Sequence, residues 1–359
     1  MFHGDASRTE RILLFIALIF IIIIAVKMTA YVITIFLMAL ILTLLFMPCL
    51  FWLKNKGLKD LYAVLIITTV ATLVLLGIFF LTLLSFHSLI ADIPQFQTEL
   101  NARLQEISTV LSSIGISSIT NGAPTINLAN ILSMGILGVM SIFDAIMFLF
   151  FVGITTFFML IEAPNLSARF EQRFGKNSDT MQQISRMTGY VIDFIVVRTE
   201  TNFIHGVLFG GFLAFMGVHG AVLWGVLTFI LGYIPYFGLI IAAVPAIFFA
   251  WIQFGIPGAI AVIAAVCVLN LVVENPVYSY IAAQKFEMPA LIAILSVIFW
   301  GWLLGLVGML FSIPITLLVL LVFQMCDDLR WINEMLGVSH LFDDKKGKKI
   351  EQTSEAQND

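Results

Sequence analysis

AVLWGVLTFILGYIPYFGLIIAAVPAIFFAW (residues 221–251) and MPALIAILSVIFWGWLLGLVGMLFSIPITLLVLLVFQMC (residues 288–326) carry no charged side chain. At about 1.5 Å of rise per residue, either would overshoot a hydrocarbon core of roughly 30 Å as one straight helix. Both contain helix-unfriendly residues: Gly232, Pro235, Gly238 and Pro245 in the first, Gly301, Gly305, Gly308 and Pro314 in the second. In lipid an interrupted helix bares backbone N–H and C=O groups that must be received by protein or by a water-filled cavity. Interruptions at membrane depth therefore point to a translocation pathway more than to a scaffold. Two geometries satisfy the pattern, a kinked crossing and a re-entrant hairpin.

The rest of the chain is membrane-like throughout. Hydrophobic residues make up 60% and charged residues 11%, and the mean hydropathy is +1.05, far from soluble globular composition. The fold class expected is all-α, a polytopic membrane protein. The net charge of −4 says little, because placement of Lys and Arg matters more than their sum. No basic face with interleaved aromatics suggests nucleic acid. Cys49, Cys267 and Cys326 stand singly in apolar surroundings, without metal-ligand spacing, and read as packing thiols. No cofactor is implied. Arg8 and Arg11 before an apolar run imitate a signal peptide, but a convincing cleavage site is missing, so the run reads as a retained first span.

Apolar runs set against charged breaks place spans at 12–26, 30–53, 61–90, 131–161, 201–217 and 256–280, besides the two broken runs. That makes about eight transmembrane helices, two of them interrupted or re-entrant. Lys54, Lys56 and Lys59 precede the third span, whereas Arg103 is the sole basic residue of 91–130. The positive-inside rule puts the Lys loop and both termini in the cytoplasm and 91–130 outside. Phe96, Leu100, Leu104, Ile107, Leu111 and Ile114 recur at helical spacing, an amphipathic external helix expected to cover the protein's own surface. Arg169, Arg173, Lys176, Arg186 and Arg198 mark a cytoplasmic return, with Ile184, Met187, Val191 and Phe194 on one face of an amphipathic helix. The organisation expected is thus 1–90 with three helices, 91–130 external, 131–162 a long fourth helix ended by Glu162-Ala163-Pro164, 163–199 cytoplasmic, 200–326 a transport core and 327–359 a polar tail.

The two broken runs suggest an internal repeat. Each has a Trp, a Gly-bearing break and a Gly followed by Pro, so that FGLIIAAVP and VGMLFSIP look like variants of one device. Paired interruptions of this kind flank transport sites, although Gly and Pro are also common in membrane helices generally.

At LWGVLTFILGYIPYFG (223–238), NLVVEN (270–275) and FWGWLLGLVGMLFSIP (299–314), with FFMLIEAP (157–164) in weaker support, the chain resembles the AI-2E family of transporters. The resemblance covers most of the chain, to about Phe323. Between Asn275 and Pro289, where the family usually has a Pro and a Gly in a longer connection, this chain has VYSYIAAQKFEM. The resemblance implies a bacterial or archaeal inner-membrane protein in a lipid bilayer, assembled as a homo-oligomer, a pentamer. It implies transport, either export of an autoinducer-2-like small polar solute or Na⁺/H⁺ antiport.

Glu274 is the sharpest candidate for carrying that transport. It stands in an apolar span beside Asn270 and Asn275, where an ionisable group costs at least about 2–3 kcal/mol unless paired or hydrated. Spacing of four puts Asn270 on its helix face. Such a carboxylate could bind Na⁺, bind H⁺ or hydrogen-bond a hydroxylated solute; equally, it could be structural, paired with Lys285. Asp144 falls near the middle of the fourth span and is a second pathway candidate, or the partner of Arg198. Arg198 is either that neutralising cation or an interfacial side chain. His205 lies further into the same span, and His87 and His219 near span ends. Gly232, Pro235, Gly238, Gly301, Gly305, Gly308 and Pro314 supply the interruptions. A solute exporter, a cation/proton antiporter and an uncoupled channel-like or scaffold oligomer remain as the three classes; no nucleotide-binding motif or catalytic cluster suggests an enzyme.

Overall fold

The computed structural model describes residues 8–113, 142–175, 178–235, 237–274, 276 and 288–338, and among these every regular element is a helix. They are α1 (Arg8–Met28), α2 (Ala30–Asn55), α3 (Asp60–Ala91), α4 (Ile93–Ser113), α5 (Ile142–Phe174), α6 (Asp179–Met216), α7 (Ala221–Leu231) and α8 (Gly238–Leu269). A π-helical segment at Asn270–Glu274, α9 (Ala290–Leu310), α10 (Ser312–Met325) and α11 (Arg330–Met335) follow. Five described helices are long and apolar enough to cross a bilayer, Ala30–Asn55, Asp60–Ala91, Asp144–Phe174, Gly238–Glu274 and Ala290–Leu310, with a sixth if the bent pair after α9 is one span. The chain is a multi-pass membrane protein. The expected eight crossings depend in part on residues outside those described, among them 131–141.

Two boundaries differ from the sequence reading. The fourth span was expected to stop at Pro164, yet α5 continues through Pro164 to Phe174. A proline inside a helix forfeits one hydrogen bond, and the Arg169–Glu162 pair at 3.0 Å bridges the position from both sides. The three cysteines, expected in packed surroundings, are all exposed on the protein surface.

The chain divides into two compact units, one of Met1–Leu37, Glu162–Ile195 and Tyr278–Asp359, the other of Met38–Ile161 and Val196–Val277. In the first unit, the charge-free run 288–326 doubles back on itself. Gly305 has φ 69° and ψ −151° inside α9, a combination that costs a side-chain-bearing residue but not glycine. Beyond it the chain runs antiparallel to where it came from: Gly308 lies against the Trp300 carbonyl and Gly301 against Met309. Further along, Trp300 Nε1 donates to Thr316 Oγ1 at 2.9 Å, and Thr316 Oγ1 donates to Ser296 Oγ at 3.0 Å. Pro314 sits buried in the returning arm. Lys27 of α1 stacks over Trp302 at 3.9 Å.

The second unit holds the other run, and it too is a hairpin. α7 descends for only 11 residues, about 16 Å, too short to cross. The chain turns after Leu231, and α8 returns antiparallel, with the Trp224 and Phe249 rings 5.5 Å apart and the His219 N–H donating to Gln253 Oε1 at 3.1 Å. Pro245 lies within α8 and does not break it; the break comes at Gly255, with φ 70° and ψ −159°. Here Gly258 meets the Ala250 carbonyl, the counterpart of Gly308 against Trp300. Gly255 and Gly258 thus correspond to Gly305 and Gly308, fifty positions on. A repeated device exists, but its glycines are these, and not Gly238 paired with Gly308 as the Gly–Pro spacing suggested.

The unit is held by an apolar core in which Phe96 and Leu100 of α4, Leu89 of α3, Phe209 and Leu213 of α6, Trp224 of α7 and Phe249 of α8 converge. α4 therefore covers the protein's own surface, as its apolar stripe anticipated, although Ile107 is exposed and Ile114 lies outside the described residues. Arg103 fastens it: Nε donates to the Ile252 carbonyl at 3.2 Å and Nη2 to the Gln253 carbonyl at 3.4 Å, acceptors freed by the break at Gly255. α6 and α7 approach backbone to backbone. A Cβ on Gly225 would stand 2.8 Å from the Gly206 carbonyl and 3.0 Å from the Gly210 Cα, the small-residue packing that membrane helices use in place of a hydrophobic drive. Gly225→Val is expected to destabilise the protein by about 1–3 kcal/mol through overpacking, read as a lowered midpoint of thermal unfolding in detergent; an unchanged midpoint contradicts the close approach.

Candidate functional site

Buried positions recur along α6 at Met187, Val191, Ile195, Arg198, Asn202, His205, Phe209 and Leu213. Steps of three and four make this one helical face. Its centre is polar where the pattern calls for apolar residues: Arg198 is 5% exposed, Asn202 2% and His205 4%. Polar groups at core positions of a membrane helix are expensive and mark function by default.

Two elements meet this face. Arg198 Nη1 donates to Glu274 Oε1 at 2.6 Å, a short charge-assisted bond between side chains 7% and 20% exposed. Glu274 closes a π-helical turn, a winding frequent at functional sites. From the other side comes the α7–α8 turn. Gly232 lies against the Asn202 side chain, where a Cβ would stand 2.5 Å from Oδ1, and the Tyr233 and Thr199 hydroxyls share a hydrogen bond of 2.6 Å. His205 lies on the same buried face of α6, three residues beyond Asn202, so that it belongs to one polar stripe with Arg198 and Asn202. Ile234 and Pro235 are buried in the turn, and Gly238 opens α8 against the Leu231 carbonyl.

The constellation is not saturated. Arg198 Nε, Asn202 Nδ2 and His205 Nε2 are buried and have no hydrogen-bond partner among the described residues. Buried polar atoms are nearly always paired, and an unmet one costs about 1–3 kcal/mol. Nitrogens of Arg and Asn only donate, and the imidazole nitrogen can donate or accept. The arrangement can therefore receive acceptor oxygens, while its one carboxylate is already neutralised. Among the described residues no three His, Cys, Asp or Glu side chains converge as a metal site.

Of the residues singled out in the sequence, the structure joins Arg198 to Glu274 and sets Gly232 on the same face of α6 beside Asn202, with Pro235 buried in the adjoining turn. Asn270 is exposed, and Asn275 and Lys285 lie outside the described residues. Asp144 is exposed in the first turn of α5 as described, where a negative charge suits the helix dipole; Arg198 bonds Glu274 and not Asp144. Gly301, Gly305, Gly308 and Pro314 shape the hairpin of the other unit. Asn202, Thr199 and Tyr233 were missed. The signal for Asn202 was present, since it lies four residues from Arg198 and three from His205.

Comparison with known proteins agrees with this architecture. The sequence profile of the AI-2E family transporter matches residues 12–326. The chain belongs to the AI-2E family. It is 34% identical over 238 residues to the AI-2 transport protein TqsA of Escherichia coli K12, covering 66% of this chain and 69% of that one. A Haemophilus influenzae relative is 31% identical over 267 residues, 70% of this chain and 76% of its own, and YhhT of Escherichia coli K12 is 27% identical over 279 residues, 75% and 77% respectively. The latter two carry transport names without a substrate.

Removing one partner of a buried ion pair strands the other charge, whereas replacing both with apolar groups can be neutral. Glu274→Gln is expected to lose up to about 3 kcal/mol of stability, and Arg198→Met with Glu274→Met to recover most of it. Thermal unfolding of the detergent-solubilised variants checks this; a double variant as unstable as the single one contradicts it.

Proposed function

We propose that this AI-2E family protein is an inner-membrane transporter of a small hydroxylated solute of the autoinducer-2 type, bound at Arg198, Asn202, His205 and Glu274. The observation that carries the reading is the set of three unpartnered buried nitrogens around the Arg198–Glu274 pair. A solute with hydroxyl and ring oxygens can accept from Arg198 and Asn202 and donate to Glu274, replacing water lost on entering the membrane. The transport name of the TqsA relative supports the solute class. Homo-oligomeric assembly with both termini cytoplasmic and α4 on the outer side belongs to the same reading, supported by Lys54, Lys56 and Lys59 at the opposite end of α3 from α4.

The antiporter reading rests on Glu274 as a cation or proton site. It is the weaker one, because a guanidinium 2.6 Å away opposes a second cation at the same carboxylate.

Proteoliposomes loaded with AI-2 test the choice. Saturable AI-2 efflux, indifferent to an imposed Na⁺ gradient and lowered at least about tenfold by Arg198→Gln, a loss of roughly 1.4 kcal/mol, is expected. Na⁺-dependent proton movement abolished by Glu274→Gln, with no AI-2 flux, would put the antiporter first.

A further inference from the structure

One short segment packs against the α6 face of the polar constellation. Every side chain named in it on α6 is at least nine-tenths buried or hydrogen-bonded to the turn: Arg198, Asn202 and His205 by burial, Thr199 by its bond to Tyr233. That segment is the turn between α7 and α8, described at Gly232–Pro235 and Phe237, which joins two antiparallel helices. Its attachment to α6 combines a close packing contact, Gly232 on the Asn202 side chain, with the hydroxyl bond from Tyr233 to Thr199.

We propose that the α7–α8 turn is a gate that closes over a solute bearing hydrogen-bond acceptor oxygens, with the Thr199–Tyr233 bond as its bolt. This rests on the reading of Arg198, Asn202, His205 and Glu274 as the solute site. The coupling follows from hydrogen-bond accounting. When the turn is shut on an empty site, Arg198 Nε, Asn202 Nδ2 and His205 Nε2 lose water and gain nothing in return. When an acceptor-bearing solute is inside, the same closure satisfies them. The solute therefore binds the closed form better than the open one, which is the condition for a ligand to shift a conformational equilibrium. A bare cation offers no acceptor and gives the gate no reason to shut. Two parts of the turn suit it to move: Gly232 and Gly238 at its ends tolerate dihedral change, and Pro235 within it donates no hydrogen bond that opening would break. Tyr233 also explains its own position, because its hydroxyl reaches α6 one residue from Arg198 and adjoins the site without filling it.

The test is a cysteine reporter in the turn. Ile234 is 2% exposed, so Ile234→Cys, in a full-length chain with Cys49, Cys267 and Cys326 replaced by Ala, reacts with a maleimide only when the turn lifts. Pro235→Cys, also at a buried position, is the second reporter should the first fail to assemble. In lipid nanodiscs, Tyr233→Phe and Thr199→Val are each expected to speed labelling, by about tenfold for one lost buried hydrogen bond. AI-2 is expected to slow labelling of the parent reporter, while NaCl at the same ionic strength leaves it unchanged. Labelling that neither variant alters would overturn the gate. Labelling that AI-2 leaves unchanged, in a protein that still carries AI-2 across proteoliposomes, would overturn the coupling while leaving the transport reading intact. Absence of AI-2 flux together with faster labelling in both variants would instead remove AI-2 as the solute and keep the bolt.

Discussion

Close approach of α6 and α7 across Gly206, Gly210 and Gly225 is the contact on which the rest of this site depends. With the Gly206 and Gly225 backbones touching, the two helix axes are nearer than any pair of larger residues permits. The short α7 is then held in register along α6, and its last turn delivers Gly232 to Asn202 and Tyr233 to Thr199. A wider spacing would leave water between the turn and the polar face. The glycines carry no polar side chain themselves but set the tolerance within which the polar groups meet.

The polar face has its own energetic logic. An apolar helix stripe interrupted by Arg, Asn and His is a liability unless the groups answer one another. Only part of the demand is answered internally, by the Arg198–Glu274 bond and the Tyr233–Thr199 bond. Three nitrogens stay unmet. A fold selected for stability alone would have filled these positions with Leu or Phe, as it did at Phe209 and Leu213 on the same stripe.

Much of this was legible in the sequence, and the failures have physical causes. Overlong charge-free runs with glycines and prolines announced that the chain must turn inside an apolar stretch, and both runs do. Which residue turns was harder. Pro245 and Pro164 look like breakers but lie within helices, because a membrane helix can absorb one missing N–H. Gly255 and Gly305 look like any other glycine, and their positive φ is a tertiary choice. Glu274 could be found from its charge, and Arg198 from its place at the head of a span. Their pairing could not, because 76 residues separate them and Asp144 was an equally good partner by composition. Asn270 was drawn in by helical spacing, yet the segment is wound as a π-helix and that residue faces outward.

Arg103 fixes one end of the hairpin that carries this turn. Its guanidinium caps the Ile252 and Gln253 carbonyls and is also held by Glu106 at 3.0 Å. A charge shared with an exposed carboxylate belongs at the water boundary and not in hydrocarbon. The Gly255 end of the hairpin is thereby tied to a solvated charge, and α7 starts from that same end beside His219 and Gln253. Eleven residues of α7 reach about 16 Å inward, half of a hydrocarbon core of roughly 30 Å. The turn that follows α7 is therefore held about 16 Å from that end of the hairpin, by a ruler whose zero mark is a single arginine.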